Sequence, residues 1–451
     1  MVLSVPGQIR AQTGGGTDTR PNIVVFLSDD LPWGLPGFNG GKEVPTPNMD
    51  RIANEGVKLT QFYVQPVCTP TRASLLTGRY PWKNGTELRV SKTASNGMLL
   101  DERTIAETLR AAGYATWMVG KWHLGQWDRK HLPLQRGFDH HYGLYSALIS
   151  YFSHLRDGVL DWFRNGRPVV ESGYATFLLA DEAVQLIERH DGSRPFFLYL
   201  PWSAVHDPYE APAEYFKRYR HLTHPTLKAM LAAMDDATGE VMGALQRKGF
   251  LDDTLVVFLN DNGGAHATGN NGSFKGNKEE FYEGGIRVPA ALRWPGEIPA
   301  GSESNALLHV VDLFPTFAKL AGADTSASLP LDGIDAWQAI AKGAESPRQE
   351  VVHSLQVIRV GDWKLIEEDA SYYNWKAGFL QLYNISEDPY EKTNLAASET
   401  EKVAELRARL TYHQAFARDA EPFAEIPDYP PVMYGQKANA AFGTEVQRAL
   451  R

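Results

Sequence analysis

The sequence predicts an α/β fold: a large mixed, mainly parallel central sheet flanked by helices, with a smaller carboxyl-terminal antiparallel sheet plus helix. Three observations carry this. Four unbroken apolar runs end abruptly in polar residues, helix-period segments lie between them, and beyond about residue 345 the pattern changes to short strands broken by turn residues.

The first run, Ile23-Val24-Val25-Phe26-Leu27, leads into Ser28-Asp29-Asp30. Short runs rich in Val and Phe suit strands buried on both faces of a parallel sheet. Next comes Val67-Cys68-Thr69-Pro70-Thr71-Arg72, ahead of Leu76-Thr77-Gly78-Arg79, and it holds the only cysteine of the chain. Pro70 followed by Ala73 to Leu76 reads as a first helical turn, where the fixed φ of proline is pre-organised and its missing N–H costs nothing. Cys68 then sits at a positive helix end, a place that favours a thiolate or a bound oxyanion. Ile105, Leu109 and Ala112 recur at helical spacing before Gly113, a C′ stop.

Thr116-Trp117-Met118-Val119 runs into Gly120-Lys121-Trp122-His123, and Phe196-Phe197-Leu198-Tyr199-Leu200 into Pro201 and then His206. Amphipathic helices are predicted over Phe177 to Glu188 and Leu227 to Leu245. The fourth run, Leu255-Val256-Val257-Phe258-Leu259, ends in Asn260-Asp261-Asn262-Gly263-Gly264. Any one of these polar clusters could be an ordinary solvated loop. Four of them at strand ends predict one shared site, because ligands in open α/β sheets bind beyond the carboxyl ends of the strands.

Composition shifts over Ala341 to Glu350. Val351 to Leu355, Trp363 to Ile366 and Leu380 to Ile385 then read as short strands with Gly361-Asp362 as a turn. Ser398 with Glu401 matches a capping box ahead of a helix whose apolar stripe is Val403, Leu406 and Leu410. The proline-rich stretch from Pro422 to Tyr434 predicts an extended arm packing on its own body or on another subunit, a route to a homo-oligomer. The expected organisation is a flexible segment 1–20, a main domain 21–345, an α+β subdomain 346–420 and a tail 421–451.

A chain of 451 residues exceeds what one small core organises. Its 43% hydrophobic and 22% charged residues describe an ordinary soluble globular protein. A formal net charge of -9 argues against a nucleic-acid surface, so an anionic ligand has to be drawn in by a local cationic cluster. One cysteine excludes intramolecular disulfides. No stretch is apolar enough for a signal peptide or a membrane span. The expectation is a soluble protein, cytoplasmic as written, or periplasmic or secreted if a leader was removed.

Asp29, Asp30, Asp261 and Asn262 offer hard oxygen donors without a Cys or His doublet, which selects Ca²⁺ or Mg²⁺ over zinc. Arg72, Lys121, His123, His206 and Lys278 form a cationic set, with Lys275 as a further candidate. A divalent metal and several cations around one nucleophile suit transfer of an anionic group whose leaving oxygen needs charge relief. Tyr145, Tyr151, His154 and Trp162 are candidates for a sugar or aryl platform, with burial in the core as the competing reading.

These residues resemble the type I sulfatases of the alkaline phosphatase superfamily over Asn22 to about Asn394. The resemblance rests on Cys68-x-Pro70-x-Arg72 with Leu76-Thr77-Gly78-Arg79, on Asp29-Asp30, and on Gly120-Lys121-Trp122-His123-Leu124-Gly125. It extends through Val205-His206-Asp207-Pro208, Asp261-Asn262-Gly263-Gly264, and Lys278 ahead of Glu283-Gly284-Gly285-Ile286-Arg287. Leu382-Tyr383-Asn384-Ile385 with Asp388-Pro389 and Asn394-Leu395 resembles the family's carboxyl-terminal signature. The approach Gly269-Asn270-Asn271-Gly272 is similar to arylsulfatase B-like members.

The resemblance implies an alkaline phosphatase-like fold and conversion of Cys68 to formylglycine (3-oxoalanine) by a formylglycine-generating or anaerobic sulfatase-maturating enzyme. It implies Ca²⁺, with Mg²⁺ or Mn²⁺ as alternatives, held by Asp29, Asp30, Asp261, Asn262 and modified Cys68. Arg72 and Lys121 would hold the hydrated aldehyde, whose hydroxyl displaces alcohol from sulfur. His123 would deprotonate the second hydroxyl so that sulfate leaves, and His206 and Lys278 would grip the sulfate and protonate the leaving oxygen. Sulfated small molecules or saccharides are the implied substrates. A phosphonate monoester or phosphodiester hydrolase, and a sulfated-glycan binder retaining the Cys68 thiol, are the alternatives. Two departures stand out: Leu31-Pro32-Trp33-Gly34 follows Asp30 where the family more often has glycine before tryptophan, and Glu279-Glu280 follows Lys278.

Overall fold

β1 (Asn22–Ser28) is the central strand of a ten-stranded sheet, and its residues from Ile23 on are buried. In chain order the other strands are β2 (Val57–Leu59), β3 (Ala115–Val119), β4 (His140–Gly143), β5 (Phe163–Arg164), β6 (Arg167–Pro168), β7 (Phe196–Pro201), β8 (Thr254–Asn260), β9 (Ala290–Arg293) and β10 (Ser302–Ser304). Their spatial order is β10-β2-β9-β8-β1-β7-β3-β4-β5-β6. The computed structural model describes residues 19–90, 97–268, 271–368, 372 and 377–418, together with the short strands Val432–Met433 and Gln436–Lys437. The expected arm and subunit contact within 421–451 otherwise lie outside the described residues, as does the segment 1–18.

The four apolar runs are β1, β3, β7 and β8, and they lie side by side in parallel. Val25 pairs with Val257 of β8 and Tyr199 of β7, and Phe197 of β7 pairs with Thr116 of β3. Because side chains alternate across a strand, Val24 and Phe26 enter one core while Ile23, Val25 and Leu27 enter the other. The first core is closed by α1 (Pro47–Asn54), α4 (Ala175–Arg189) and α5 (Pro225–Arg247), the second by α2 (Cys68–Thr77), α3 (Ile105–Ala111) and α6 (Leu313–Leu320). Each fully buried Val, Leu or Phe contributes roughly 1.5–3 kcal/mol. Two such layers make the sheet rigid enough to aim loops at its carboxyl edge.

All ten residues of α2 are buried. The helix stops at Gly78, whose φ of 66° is left-handed and where a Cβ would lie 2.8 Å from Phe314. α3 ends before Gly113 as its spacing predicts, and it begins with a capping box between Thr104 and Glu107. The box predicted at Ser398 and Glu401 does not form. α7 (Thr400–Gln414) takes Glu399 as its N-cap, one residue later, and the Ser398 hydroxyl donates to the Leu395 carbonyl instead, at 3.1 Å. Local side-chain to backbone bonds compete for a cap in this way.

The carboxyl-terminal sheet is an antiparallel meander of β11 (Glu350–Ser354), β12 (Val357–Val360), β13 (Trp363–Glu368) and β14 (Ala377–Asn384). β12 is not among the strands the sequence predicts, since only Leu355 and Gln356 separate it from β11 and neither is a turn former. Val403, Leu406 and Leu410 of α7 pack on Val352, Ile358, Leu365 and Leu382. The other face packs Val351 and Ile366 against Tyr63, Val67 and Ile286, so this sheet supports the residue just before Cys68. Lys364 of β13 reaches into the same junction, 3.1 Å from Glu283 Oε1 and 2.9 Å from Glu391 Oε1, with all three side chains fully buried. Among the described residues no helix is long and apolar enough to cross a membrane.

Two predictions follow, one from this junction and one from the contact of the sheet with α7. Lys364→Met leaves Glu391 buried without its cation and Glu283 with only Arg287, at 3.4 Å, and its unfolding free energy in urea should fall by about 3–5 kcal/mol. Glu350 accepts from His413 at 2.9 Å and Arg409 at 2.7 Å on α7. The His413 bond above all, with Arg409 and against partial burial, holds its carboxyl at about 2 rather than 4.5. A depressed carboxyl stabilises the fold above the unfolded value and loses that contribution as pH falls through the folded one. Between pH 4.5 and 2 the wild-type Tm should therefore fall more steeply than that of Glu350→Gln; parallel curves would show that the α7 clamp contributes nothing.

Candidate active site

The carboxyl ends of β8, β1, β7 and β3 are laced together by backbone bonds. Asp261 N–H donates to Ser28 O (3.2 Å), Asp29 N–H to Ala204 O (2.9 Å), Val205 N–H to Asp29 O (2.7 Å) and Lys121 N–H to Pro201 O (2.8 Å). Asn260 completes the lacing with its side chain. Its Oδ1 accepts from Ser28 Oγ (2.8 Å) and Leu31 N–H (3.1 Å), and its Nδ2 donates to Leu31 O (2.8 Å) and Asn262 O. The chain therefore turns sharply after β1, with Asp30 in the left-handed region at φ 57°.

Cys68 is the first residue of α2, after an extended Val67, and its Sγ lies 3.4 Å from Asp29 Oδ1. One helical turn later Arg72 points into the same space. Its Nη2 is 2.7 Å from Asp261 Oδ2 and 3.3 Å from Asp29 Oδ2, and its Nη1 donates to the Lys121 carbonyl at 3.2 Å. Lys121 Nζ closes on Asp29 Oδ2 at 2.5 Å. On the far side Lys278 Nζ lies 2.8 Å from Asp30 Oδ2 and 3.2 Å from His206 Nε2. His206 Nδ1 donates to the Asp207 carbonyl at 2.6 Å, which leaves Nε2 as the acceptor toward Lys278. Three buried carboxylates thus meet three cations, Arg72, Lys121 and Lys278.

Burial opposes ionisation of Asp29, but Lys121, His206, Arg72 and Lys278 outweigh it and hold the carboxyl well below its usual range. Asp30 is lowered in the same way against burial, chiefly by Lys278 and His206. Asp261 moves the other way: burial and then Asp29 raise it, because two carboxylates share one guanidinium. The Cys68 thiol is pushed up by burial, Asp261 and Asp29. The thiolate reading of Cys68 is therefore corrected: a helix N-terminus does not outweigh burial and two adjacent carboxylates.

His123 stands at the edge of this network. Its Nε2 bonds the Val90 carbonyl at 3.0 Å, its Nδ1 is buried without a partner, and burial with Lys121, Arg72 and Arg156 keeps the ring neutral. Lys275 does not join the cations. Its ammonium sits 3.9 Å from the Tyr282 ring centre and donates to Tyr383 OH at 3.1 Å, at the carboxyl-terminal sheet. Tyr145, Tyr151, His154 and Trp162 are all buried, with His154 stacked on Trp162 at 4.6 Å and Tyr145 on Phe163 at 4.5 Å, so the platform reading gives way to core packing. Tyr151 has a positioning role instead: its hydroxyl donates to Ser203 O (2.5 Å) and His206 O (2.9 Å), fixing the His206 loop.

Asn260 and Tyr151 are the supports that sequence reasoning missed. Asn260 ends a predicted strand beside Asp261, a signal that was present; Tyr151 had only its place in an aromatic-rich stretch. A divalent cation fits the donors. Atoms of Asp29, Asp30, Cys68 and His206 lie within 4.8 Å of one another, Asn262 Nδ2 donates to Asp30 Oδ1 at 2.7 Å, and Asn262 Oδ1 is buried without a partner.

The sulfatase family profile matches residues 21–323, and a profile described as N-sulphoglucosamine sulphohydrolase, C-terminal, matches 269–416. Mouse (Mus musculus) arylsulfatase J is 31% identical, over 94% of this chain and 79% of that protein. The N-acetylgalactosamine-6-sulfatase of Rattus norvegicus is 35% identical, over 80% of this chain and 74% of its own. The crystal structure of Ps i-CgsB superposes with a TM-score of 0.83 at 30% identity, covering 96% of this chain and 98% of that one, and a complex with k-i-k-neocarrahexaose superposes at 0.82. The chain belongs to the sulfatase family and is a sulfuric ester hydrolase.

Proposed function

We propose that the protein hydrolyses sulfate monoesters of saccharides, using Cys68 after its oxidation to formylglycine and a Ca²⁺ ion held by Asp29, Asp30, Asp261 and Asn262. The observation that carries this is the thiol at the head of α2, 3.4 Å from Asp29 among three carboxylates and three cations. Saccharide rather than simple aryl substrates are favoured by the relative named for N-acetylgalactosamine 6-sulfate and by the neighbour crystallised with neocarrahexaose.

The hydrated aldehyde supplies an oxygen nucleophile with a second hydroxyl, and the divalent ion supplies charge relief to the oxygens it binds. The chain's own residues do the rest. Arg72 and Lys121 orient residue 68 from its helix side and balance the charge that grows there. Lys278 and His206 face the ester from the opposite side, and their 3.2 Å contact lets one proton serve either as the donor to the leaving oxygen. His123 is a neutral base with a free Nδ1, suited to take a proton from residue 68. Because α2 is fully buried, the maturating enzyme reaches Cys68 only before the chain folds.

Protein co-expressed with a formylglycine-generating enzyme and supplied with Ca²⁺ should cleave aryl and sugar sulfates with higher kcat/KM than the matching phosphonate monoester or phosphodiester. The reverse order would replace the function while keeping the site. Mass spectrometry should find the aldehyde, not the thiol, at position 68, and a chelator should remove activity that Ca²⁺ restores. Cys68→Ala should lose on the order of 10³-fold or more in kcat at an unchanged Tm. Asn260→Leu leaves the Leu31 amide and carbonyl without partners at the turn that aims Asp29 and Asp30. Its kcat/KM should drop roughly 10²-fold from misplacement alone, and wild-type rates would remove Asn260 from the support of the site.

A further inference from the structure

The Leu31-Pro32-Trp33-Gly34 departure leads to a cleft outside the catalytic constellation, lined by Trp33, Gly34, Asn39, Lys42, Glu43 and Gly272. We propose that this cleft is a second saccharide subsite, in which the face of Trp33 carries a neighbouring sugar ring of a polyanionic glycan and Lys42 meets an acidic group on it. The inference rests on the sulfatase reading of the adjacent site and names the substrate class more narrowly, as a chain longer than one sugar.

Trp33 is half-buried and held on several sides. Its N–H donates to Asn271 Oδ1 at 3.3 Å, and its carbonyl accepts from Asn39 Nδ2 at 3.2 Å. Its ring meets Phe274 edge-on, with centroids 5.0 Å apart at 81°, and the Arg287 guanidinium lies 4.7 Å from the Phe274 ring centre. Pro32 stiffens the approach: it packs on Gly264, where a Cβ would lie 2.5 Å from Pro32 Cγ. A ring so fixed is pre-organised as a binding surface.

The walls beside it are short. Gly34 lies next to it in the chain, and Gly272, in the left-handed region at φ 65°, comes so near that a Cβ there would sit 3.4 Å from Trp33 Cε3. A side chain at 272 would cover the indole; glycine leaves it open. The polar groups are at the rim. Glu43 is paired with the buried Lys228 at 2.9 Å, whereas exposed Lys42 has no ion-pair partner among the described residues, so the ammonium of Lys42 is the rim charge left to meet a ligand. An apolar face with a few polar groups at its edge suits a pyranose, which offers C–H bonds to the ring and hydroxyl or acid groups to the rim.

Position ties the cleft to the sulfate site. Trp33 is three residues from Asp30, which places their Cα atoms within about 11 Å. The Asn271 side chain that holds Trp33 also accepts from Gly264 N–H at 2.9 Å, and Gly264 O accepts from Lys278 N–H at 3.0 Å. The segment from Asn271 to Lys278 therefore carries both the Trp33 anchor and a cation of the sulfate site, which ties the cleft to that site.

The test is calorimetric binding to Ca²⁺-loaded, full-length protein carrying Cys68→Ala, so that turnover does not enter. The probes are kappa-carrageenan and chondroitin 6-sulfate hexasaccharides, each beside its own sulfated monosaccharide. One hexasaccharide should bind at least roughly tenfold more tightly than its monosaccharide. Adding Trp33→Ala should collapse that ratio to about twofold or less, Trp33→Phe should keep most of it, and Lys42→Ala should flatten its salt dependence. The subsite is overturned if neither hexasaccharide outbinds its monosaccharide, or if Trp33→Ala leaves the ratio intact. If the ratio responds to Trp33 while active, modified protein cleaves no sulfate ester, the functional reading fails and the subsite stands.

Discussion

The guanidinium of Arg72 is fully buried, and a buried charge needs partners. It finds them on three separate strand ends: Asp261 after β8, Asp29 after β1 and the Lys121 carbonyl after β3. Asp29 and Asp261 would repel each other without it, and α2 would keep only the weaker links of the Cys68 thiol to Asp29, at 3.4 Å, and the Thr69 hydroxyl to His123 O, at 3.2 Å. Replacing one member of such a set is far more costly than the net worth of the set suggests, because what remains is an uncompensated charge in a dry site. The arrangement of α2 over the sheet, and with it the position of residue 68, follows from satisfying this one side chain.

The same logic recurs at the carboxyl-terminal junction. Lys364 lies between Glu283 and Glu391, Tyr63 OH donates to Glu283 Oε2 at 2.6 Å, and Glu283 N–H donates to Glu391 Oε2 at 2.7 Å. Glu283 begins the short turn on which the Lys278 loop closes, through Gly284 N–H to Lys275 O at 2.7 Å and Gly263 N–H to Gly285 O at 2.8 Å. Apolar contacts of Val351 and Ile366 with Val67 support the other side of the site. The small sheet, which contributes no residue to the catalytic constellation, therefore braces both the helix bearing Cys68 and the loop bearing Lys278.

Much of the site was legible because its chemistry sits at the ends of strands that announce themselves. Asp29, Lys121, His206 and Asp261 each follow an apolar run, and topology alone brings parallel strand ends together. Features set by competition between neighbours were not legible. Ser398 matches a cap by spacing, yet its hydroxyl is claimed by Leu395; Lys275 carries the right charge, yet Tyr282 and Tyr383 hold it elsewhere. The tyrosines and tryptophan of the 145–162 stretch could have been a surface or a core, and only packing distinguishes the two. The strand β12 was hidden because a two-residue hairpin leaves too little turn signal between apolar stretches.

The sequence by itself determined the α/β class, the main parallel strands and most of the acidic and basic residues that gather at their ends, because hydrophobic runs and motif spacing are local properties of the chain. Tertiary structure decided in which direction each carboxyl is shifted, since Lys121 and Arg72 beside Asp29 lower it whereas burial and the neighbouring Asp29 raise Asp261. It also decided that the Cys68 thiol is raised rather than lowered, that Asn260 and Tyr151 hold the loops, and that Trp33 faces an open cleft. Each of these depends on distances of a few ångströms between residues far apart in the chain, where electrostatic and packing energies are set and where sequence spacing carries no information.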